Sequence, residues 1–347
     1  MGCTCENNKP EEEIKINKQP EEIITYKLDK NSLKKLIILQ SHIRGNLYRK
    51  KNSIERLLIE NHTNQNSFIN NKNYDSDENI YTQLEEEQIT ESDINYLFNN
   101  YIPLKDGEEV HIKPLTQIEN GGLYYGEWDS KGNKHGRGIQ LWPDGSKYAG
   151  YWINNKANKK GKLIHRDGDI YDGEWLDDKA EGYGIYSQID GAKYEGFWKD
   201  DKQEGKGKEI WPDGNTYEGE YVGGNKQGKG KFIWSDGSIY EGNFKNNNIE
   251  GKGIYKWADN RIYNGNWKNN QMDGYGEFTW PDGRSYKGGY KNDKKEGYGI
   301  FKWPNGQEYR GNWKNGKQHG EGEIFNPRTN QCKKYIWENG KRIVKIY

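Results

Sequence analysis

Residues 194–216 read Tyr194-Glu195-Gly196-Phe197-Trp198-Lys199-Asp200-Asp201-Lys202-Gln203-Glu204-Gly205-Lys206-Gly207-Lys208-Glu209-Ile210-Trp211-Pro212-Asp213-Gly214-Asn215-Thr216, and residue 217 is Tyr again. Side chains alternate between faces in an extended chain, so Tyr194, Gly196 and Trp198 point one way while Glu195 and Phe197 point the other. Asp200-Asp201-Lys202 then supplies a polar turn. In the second half Gly205, Gly207 and Trp211 share a parity, and Asp213-Gly214 makes a tight turn that needs positive φ. The stretch is predicted to be a β-hairpin.

Working outward, the pattern Tyr-x-Gly-x-aromatic begins at Tyr124, Tyr148, Tyr171, Tyr194, Tyr217, Tyr240, Tyr263, Tyr286 and Tyr309, spaced 24 once and then 23 seven times. Large rings on one strand need space opposite, and glycines across the hairpin provide it because they lack Cβ. A lone hairpin is marginal in water, but stacked hairpins bring neighbouring aromatic stripes into contact. The expected fold is mainly β: an elongated, single-layer antiparallel β-hairpin solenoid of nine repeats over 121–331. At roughly 4.8 Å per strand it would extend on the order of 90 Å.

Composition alone points the other way. The chain has 347 residues, of which 31% are apolar and 31% charged, with a mean hydropathy of -1.26, values typical of a disordered chain. Yet it holds 13 Trp, 26 Tyr and 44 Gly, and disordered chains lack aromatics. All 13 Trp and 41 of the 44 Gly lie beyond residue 120. Formal charge is zero overall, but residues 1–120 carry 15 basic and 21 acidic groups against 38 and 32 in the remainder, so the chain has two parts. No stretch is apolar enough to span a bilayer, and the N-terminus has no secretory core. Three cysteines, Cys3, Cys5 and Cys332, make a disulfide framework improbable in such a chain.

These residues resemble the MORN (membrane occupation and recognition nexus) repeat: Tyr-x-Gly-x-Trp, a polar turn, [His/Glu]-Gly-x-Gly and a closing Asp-Gly. His135-Gly136-Arg137-Gly138 and His319-Gly320-Glu321-Gly322 show the third part. Lys159 stands where the second repeat should have the first Gly of its pair, and Asn260 replaces the turn Gly of the sixth; Asn tolerates the left-handed region. Residues 332–347 are atypical and basic. They read as a C-terminal cap whose lysines deter edge pairing, or alternatively as a basic patch for a membrane or partner.

Residues 1–29 read as a flexible tail opening Met-Gly-Cys-Thr-Cys-Glu. Gly2 is the acceptor position for N-myristoylation and Cys3 and Cys5 are placed for palmitoylation, although Glu6 stands where the motif has Ser or Thr. One myristoyl chain binds membrane only marginally, at about 10⁴ M⁻¹, so the second lipid would make attachment stable. Without acylation, Cys3 and Cys5 are exposed thiols.

Residues 30–60 read as a basic amphipathic helix, with seven basic and no acidic residues from Lys30 to Lys51. Within it Leu39, Gln40, Ile43, Arg44, Gly45 and Arg49 resemble the IQ motif, with Asn52 at its last apolar place. That resemblance implies calmodulin or a related EF-hand light chain in the partner role, held by an apolar stripe and two arginines. A helix lying on anionic lipid, or an ordinary packed helix, are the other readings, and lipid and calmodulin together would make an electrostatic switch. Residues 61–120 read as a disordered acidic, Asn-rich linker with a short helix near 93–101 that docks on the first repeat through Ile94, Leu97 and Phe98.

MORN arrays also precede kinase and methyltransferase domains, but residues 1–120 are too short and polar for either. The Gly-x-Gly pairs fall mid-hairpin, not between strand and helix. The six histidines never take metal-ligand spacing, and no nucleophile, base and orienting acid come together. No catalysis, cofactor, metal or nucleic acid is expected. The reading that remains is a membrane-anchored scaffold at the plasma or ciliary membrane that recruits calmodulin and presents the array to membrane or cytoskeletal partners. The other is a component of a cilium axoneme or basal body, like a radial-spoke protein, assembled through MORN contacts or as a homodimer. Lys156, Lys159, Lys160 and Lys162 are the local candidates for anionic phospholipid.

Overall fold

The computed structural model describes residues 89–100, 102 and 108–346. A helix, α1 (Glu91–Asn99), precedes the strands. The sheet opens with β1 (Val110–Gln117). The first strands of the nine hairpins are β2 (Leu123–Asp129), β4 (Lys147–Ile153), β6 (Ile170–Leu176), β8 (Lys193–Lys199), β10 (Thr216–Val222), β12 (Ile239–Lys245), β14 (Ile262–Lys268), β16 (Ser285–Lys291) and β18 (Glu308–Lys314). Their second strands are β3 (Lys134–Leu141), β5 (Lys156–Ile164), β7 (Lys179–Ser187), β9 (Lys202–Ile210), β11 (Asn225–Ile233), β13 (Asn248–Lys256), β15 (Gln271–Thr279), β17 (Lys294–Lys302) and β19 (Lys317–Asn326). Two more, β20 (Gln331–Glu338) and β21 (Lys341–Ile346), close the chain. Every strand pairs antiparallel with the next in sequence, giving one 21-stranded meander.

Each hairpin is organised by its tyrosine. Tyr194 lies along its own strand and donates from Oη to the Phe197 carbonyl at 3.0 Å, and all nine repeat tyrosines make this same bond three residues ahead. The ring covers Gly196 and its cross-strand partner Gly207, where a Cβ would stand 2.6 Å and 2.3 Å from the hydroxyl. Trp198 meets Tyr194 edge-on at 5.1 Å, and Tyr194 meets Tyr221 of the next repeat the same way at 5.3 Å. Such pairs contribute about 0.5–1.5 kcal/mol each beyond their buried area. Several tryptophans also donate Nε1–H to a carbonyl of the preceding hairpin, as Trp175 does to Gly161 at 2.9 Å.

The two glycines of Gly-x-Gly differ in role, which parity did not reveal. Gly207 makes room for the ring. Gly205, at φ 64, belongs instead to a bulge: Gly196 pairs with Gly207 but Phe197 with Glu204, leaving Gly205 and Lys206 without partners on β8. Lys159 holds this bulge position at φ 56, a left-handed conformation costly for a lysine.

Turns stitch the repeats together. Both central residues of the short turns have positive φ, as in Asp200 (48°) and Asp201 (63°), which is why Asn, Asp and Gly fill them. Asp201 also reaches back one repeat, accepting the Ala180 N–H at 2.7 Å while its own N–H donates to the Ala180 carbonyl. Asn155, Asp178, Asn247, Asn270 and Asp293 do the same. Asn260 takes φ 65 and retains both turn bonds, as expected of an asparagine there.

The ends depart from the sequence reading. β1 lies within the stretch read as linker and enters the sheet beside β2; its Ile118–Gly122 turn carries the same pair of bonds as the later inter-repeat turns. At the other end the basic segment continues the sheet as a tenth hairpin, with Tyr335 buried. β21 is the edge strand, carrying Lys341, Arg342 and Lys345.

Two lysines are half-buried among rings. The Lys295 ammonium lies 4.7–5.2 Å from the centroids of Trp280, Tyr286, Phe301 and Trp313, and that of Lys134 lies 3.7 Å from Trp152. Burial pushes both down to about 8. Burial also pushes the Tyr309 hydroxyl up to about 12 and those of Tyr217, Tyr240 and Tyr263 further.

Three outcomes follow from this packing. Gly207→Ala drives a methyl into the Tyr194 ring and costs about 3 kcal/mol, measured as faster amide exchange across residues 194–216. Lys159→Gly relieves the left-handed lysine and adds about 1 kcal/mol, read from the same exchange across β4–β6. Stability should also peak on the alkaline side. The unfolded chain keeps its lysine protons to about pH 10 while folded Lys134 and Lys295 release theirs near 8, so stability rises across that window. Above about pH 10 unfolded tyrosines ionise and folded ones do not, so stability then falls; urea midpoints from pH 7 to 12 would trace the rise and the collapse.

Candidate functional site

Aromatic rings seal one face of the sheet, and the opposite face is where the repeats differ. Four side chains per repeat line it, as Glu195, Phe197, Lys206 and Lys208 do in the fourth. At the N-terminal end it is covered. Thr90 caps α1 through a capping box with Asp93, whose carboxylate pairs with Lys147 at 2.6 Å. Ile94 and Leu97 are buried where α1 packs on β3 and β4, strands on which Ile139, Leu141 and Ala149 are also buried. Tyr96 donates to Asp172 on β6 at 2.7 Å, so the helix reaches past the first repeat, farther than expected. Glu127 on β2 and Arg137 on β3 form a buried pair at 2.6 Å.

From β7 to β14 the face is open and forms a groove of about 1330 Å³. Its charges run in rows. Acidic strands carry Glu195 (β8), Glu218 and Glu220 (β10) and Glu241 (β12); basic strands between them carry Lys206 and Lys208 (β9), Lys229 and Lys231 (β11) and Lys252 (β13). The register sets Glu218 opposite both Lys208 and Lys231, and Glu220 opposite Lys206. Hydrogen bonds from Lys193 and Tyr183 hold the Glu195 carboxyl below its usual range. Farther along, Tyr275 and Tyr298 stand 57% and 61% exposed. Repeat spacing located the hairpins but hid these rows, because they occupy positions the motif leaves as x.

Of the sequence candidates, Gly2, Cys3, Cys5, Leu39, Gln40, Ile43, Arg44, Gly45 and Arg49 lie outside the described residues. Lys156, Lys159, Lys160 and Lys162 share β5, but they do not make a bare cationic stripe. Lys160 lies 3.4 Å from Glu174, Lys156 3.9 Å from Asp177, Lys159 sits over the Tyr151 ring at 5.0 Å, and Lys162 faces Asp172 across the ladder. Among the described residues no helix is long and apolar enough to cross a membrane, and no three His, Cys, Asp or Glu side chains gather as a metal site.

The MORN repeat family model matches nine times, at residues 124–147, 148–170, 171–193, 194–216, 217–239, 240–260, 263–283, 286–308 and 309–324. The chain belongs to the MORN-repeat family. No curated protein matches it. Among solved structures, a mutant of the TCP10 domain of Danio rerio CPAP aligns at 12% identity and TM-score 0.34, covering 67% of this chain and 99% of that one. The SAS-4 (dCPAP) TCP domain of Drosophila melanogaster, in complex with a proline-rich motif of Ana2, aligns at 12% identity and TM-score 0.29, covering 55% and 95%. Scores this low carry no inference about the MORN array.

Helix docking is separable from the array. Leu97→Ala should cost about 2–3 kcal/mol of α1 docking, seen as faster amide exchange in α1, β3 and β4 with exchange in β12–β19 unchanged, since MORN repeats feel only their neighbours.

Proposed function

We propose that this MORN protein is a non-catalytic scaffold whose working surface is the open face beyond α1, and that its N-terminal segment supplies the attachment. What supports the first part is the division of labour between the two faces. Tyrosines, tryptophans and glycines close one side by themselves, so the other is free to carry charge rows and exposed rings that packing does not require. Acyl chains at Gly2 and Cys3 or Cys5 hold the chain on the cytosolic leaflet, and the 30–60 helix recruits calmodulin or a related EF-hand protein through Leu39, Gln40, Ile43, Arg44, Gly45 and Arg49. The array then meets membrane or cytoskeletal partners.

Two experiments test these parts separately. Gly2→Ala with Cys3→Ser and Cys5→Ser should release a tagged protein from membranes; an unchanged, detergent-resistant ciliary signal overturns the anchor and favours an axonemal or basal-body role. Arg44→Ala with Arg49→Ala should weaken retention on immobilised calmodulin by about tenfold or more, the loss expected when charge-assisted contacts worth about 1.5–3 kcal/mol are removed. Equal retention of wild type and variant would sink the calmodulin assignment.

A further inference from the structure

Charge is distributed unevenly over the turns at the two borders of the sheet. Short turns join the strands of each hairpin at one border, and inter-repeat turns join successive hairpins at the other. The short turns of the last five hairpins with their flanking residues, 245–248, 268–271, 291–294, 314–317 and 338–341, hold seven lysines against Asp293 and Glu338. On the opposite border the six inter-repeat turns from 118–122 to 234–238 hold seven carboxylates against Arg166. The remaining turns are balanced. The first five short turns, from 129–133 to 222–225, hold five basic and five acidic groups, with Lys156 and Lys179 paired to Asp177 and Asp200. In the last four inter-repeat turns Arg261 and Arg284 are paired to Asp259 and Asp282, beside Arg328. One border is therefore cationic in the C-terminal half, and the other anionic in the N-terminal half.

Turn geometry does not dictate these signs. Asn246 and Asn247 turn at φ 48 and 66 where Asp200 and Asp201 turn at 48 and 63. Asn305 accepts the Gln307 N–H at 3.0 Å just as Asp213 accepts that of Asn215 at 3.0 Å. Lys291 stands opposite Lys294, and Lys314 opposite Lys317, like-charge pairs that cost stability. The seven lysines are exposed and make no ion pair among the described residues. Glu250, Asp273 and Glu296 nearby are taken up by the Asn269, Asn292 and Asn315 N–H groups, and Asp293 by that of Met272. With all of these counted, residues 217–347 still hold 23 basic and 15 acidic groups, against 15 and 17 in residues 121–216. On the anionic border Asp144, Asp167, Asp190, Asp213 and Asp236 are exposed, each fixed by the N–H two residues on at 2.8–3.2 Å.

Charge and spacing together select a second copy of this chain as the occupant. Turns on either border recur every two strands, about 9.6 Å. Both rows are set by the same ladder, so the lysine row of one copy stays in step with the carboxylate row of another, whereas a partner of another fold would have to match that interval separately. We propose that the chain self-associates side by side, the lysine border of one copy's C-terminal half lying against the carboxylate border of the next copy's N-terminal half. Each copy offers one border of each sign to different neighbours, so the contact is heterologous and grows past the dimer. Each exposed pair is weak and screened by salt, so assembly depends on several turns engaging together. This deepens the scaffold reading by naming a partner, yet its test needs neither membrane attachment nor calmodulin, so the two can fail independently.

The test is sedimentation velocity of the full chain, expressed without acyl chains, at about 50 mM and about 500 mM salt. At low salt the weight-average mass should rise with protein concentration past that of two copies, and at high salt it should fall to that of one. Lys291→Glu, Lys294→Glu, Lys314→Glu and Lys317→Glu together make a chain acidic on both borders. Asp144→Lys, Asp190→Lys, Asp213→Lys and Asp236→Lys together make one basic on both. Each reversed chain alone should stay monomeric at low salt, and an equal mixture of the two should associate. Asn at the same four aspartates keeps the turn bonds and should weaken self-association at least about tenfold, with the wild-type urea midpoint retained. A wild type that stays monomeric at low salt, a mass that stops at two copies, or wild-type association by either reversed chain alone overturns the proposal. So does capture of phosphatidylserine vesicles through these lysines by a wild type that does not self-associate.

Discussion

A tyrosine ring laid flat over two glycines is the contact on which the rest of the sheet depends. Its hydroxyl is satisfied by a carbonyl of its own strand three residues on, so the ring can be buried without help from any other layer. Its width is accommodated only because Gly196 and Gly207 have no Cβ, which fixes the pairing register at the middle of each hairpin. A sheet normally hides its apolar face under helices or a second sheet. Here ring edges and ring faces of successive repeats cover one another, and one layer suffices.

Repetition follows from that economy. Each ring touches only its own hairpin and the next, and each turn reaches back only one repeat, so energetic coupling runs between neighbours. The buried positions are consequently held to a narrow menu in every unit, whereas the opposite face beyond α1 answers to no packing demand. Divergence concentrates there: apolar under α1, striped with Glu and Lys from the fourth to the sixth repeat, and aromatic around Tyr275 and Tyr298.

Much of this was legible in the sequence because a 23-residue period over nine copies leaves no freedom in strand order. Tyr194, Trp198 and Asp213-Gly214 identified the hairpin, its buried side and its closing turn before any coordinates. What escaped was local geometry that alternation does not encode. Gly205 and Gly207 look alike as letters, yet one bends the strand and the other clears space, a distinction made by φ. β1 went unseen because Val110–Gln117 contains none of the repeat's aromatics or glycines; it joins the sheet through its ladder with β2 and through Lys113, whose ammonium lies 4.3 Å from the Trp128 ring. The tenth hairpin was masked similarly, by a Tyr335-x-Trp337 pair without the intervening glycine pattern. The open-face rows were invisible for the opposite reason: they vary where the motif is silent.

A surface built this way constrains what can bind it. Its elements recur every two strands, about 9.6 Å, so a ligand gains from several repeats only if its own contacts recur at a matching interval. A globular partner meets the array at one patch, whereas an extended segment with a commensurate repeat can add contacts hairpin by hairpin, each weak alone and effectively intramolecular once the first has formed. The Glu and Lys rows argue for selection by charge order along such a segment: like-charge apposition is penalised at every mismatched row, and shifting the ligand by one strand inverts all of them. A ligand held along several hairpins would thereby be fixed in a single register.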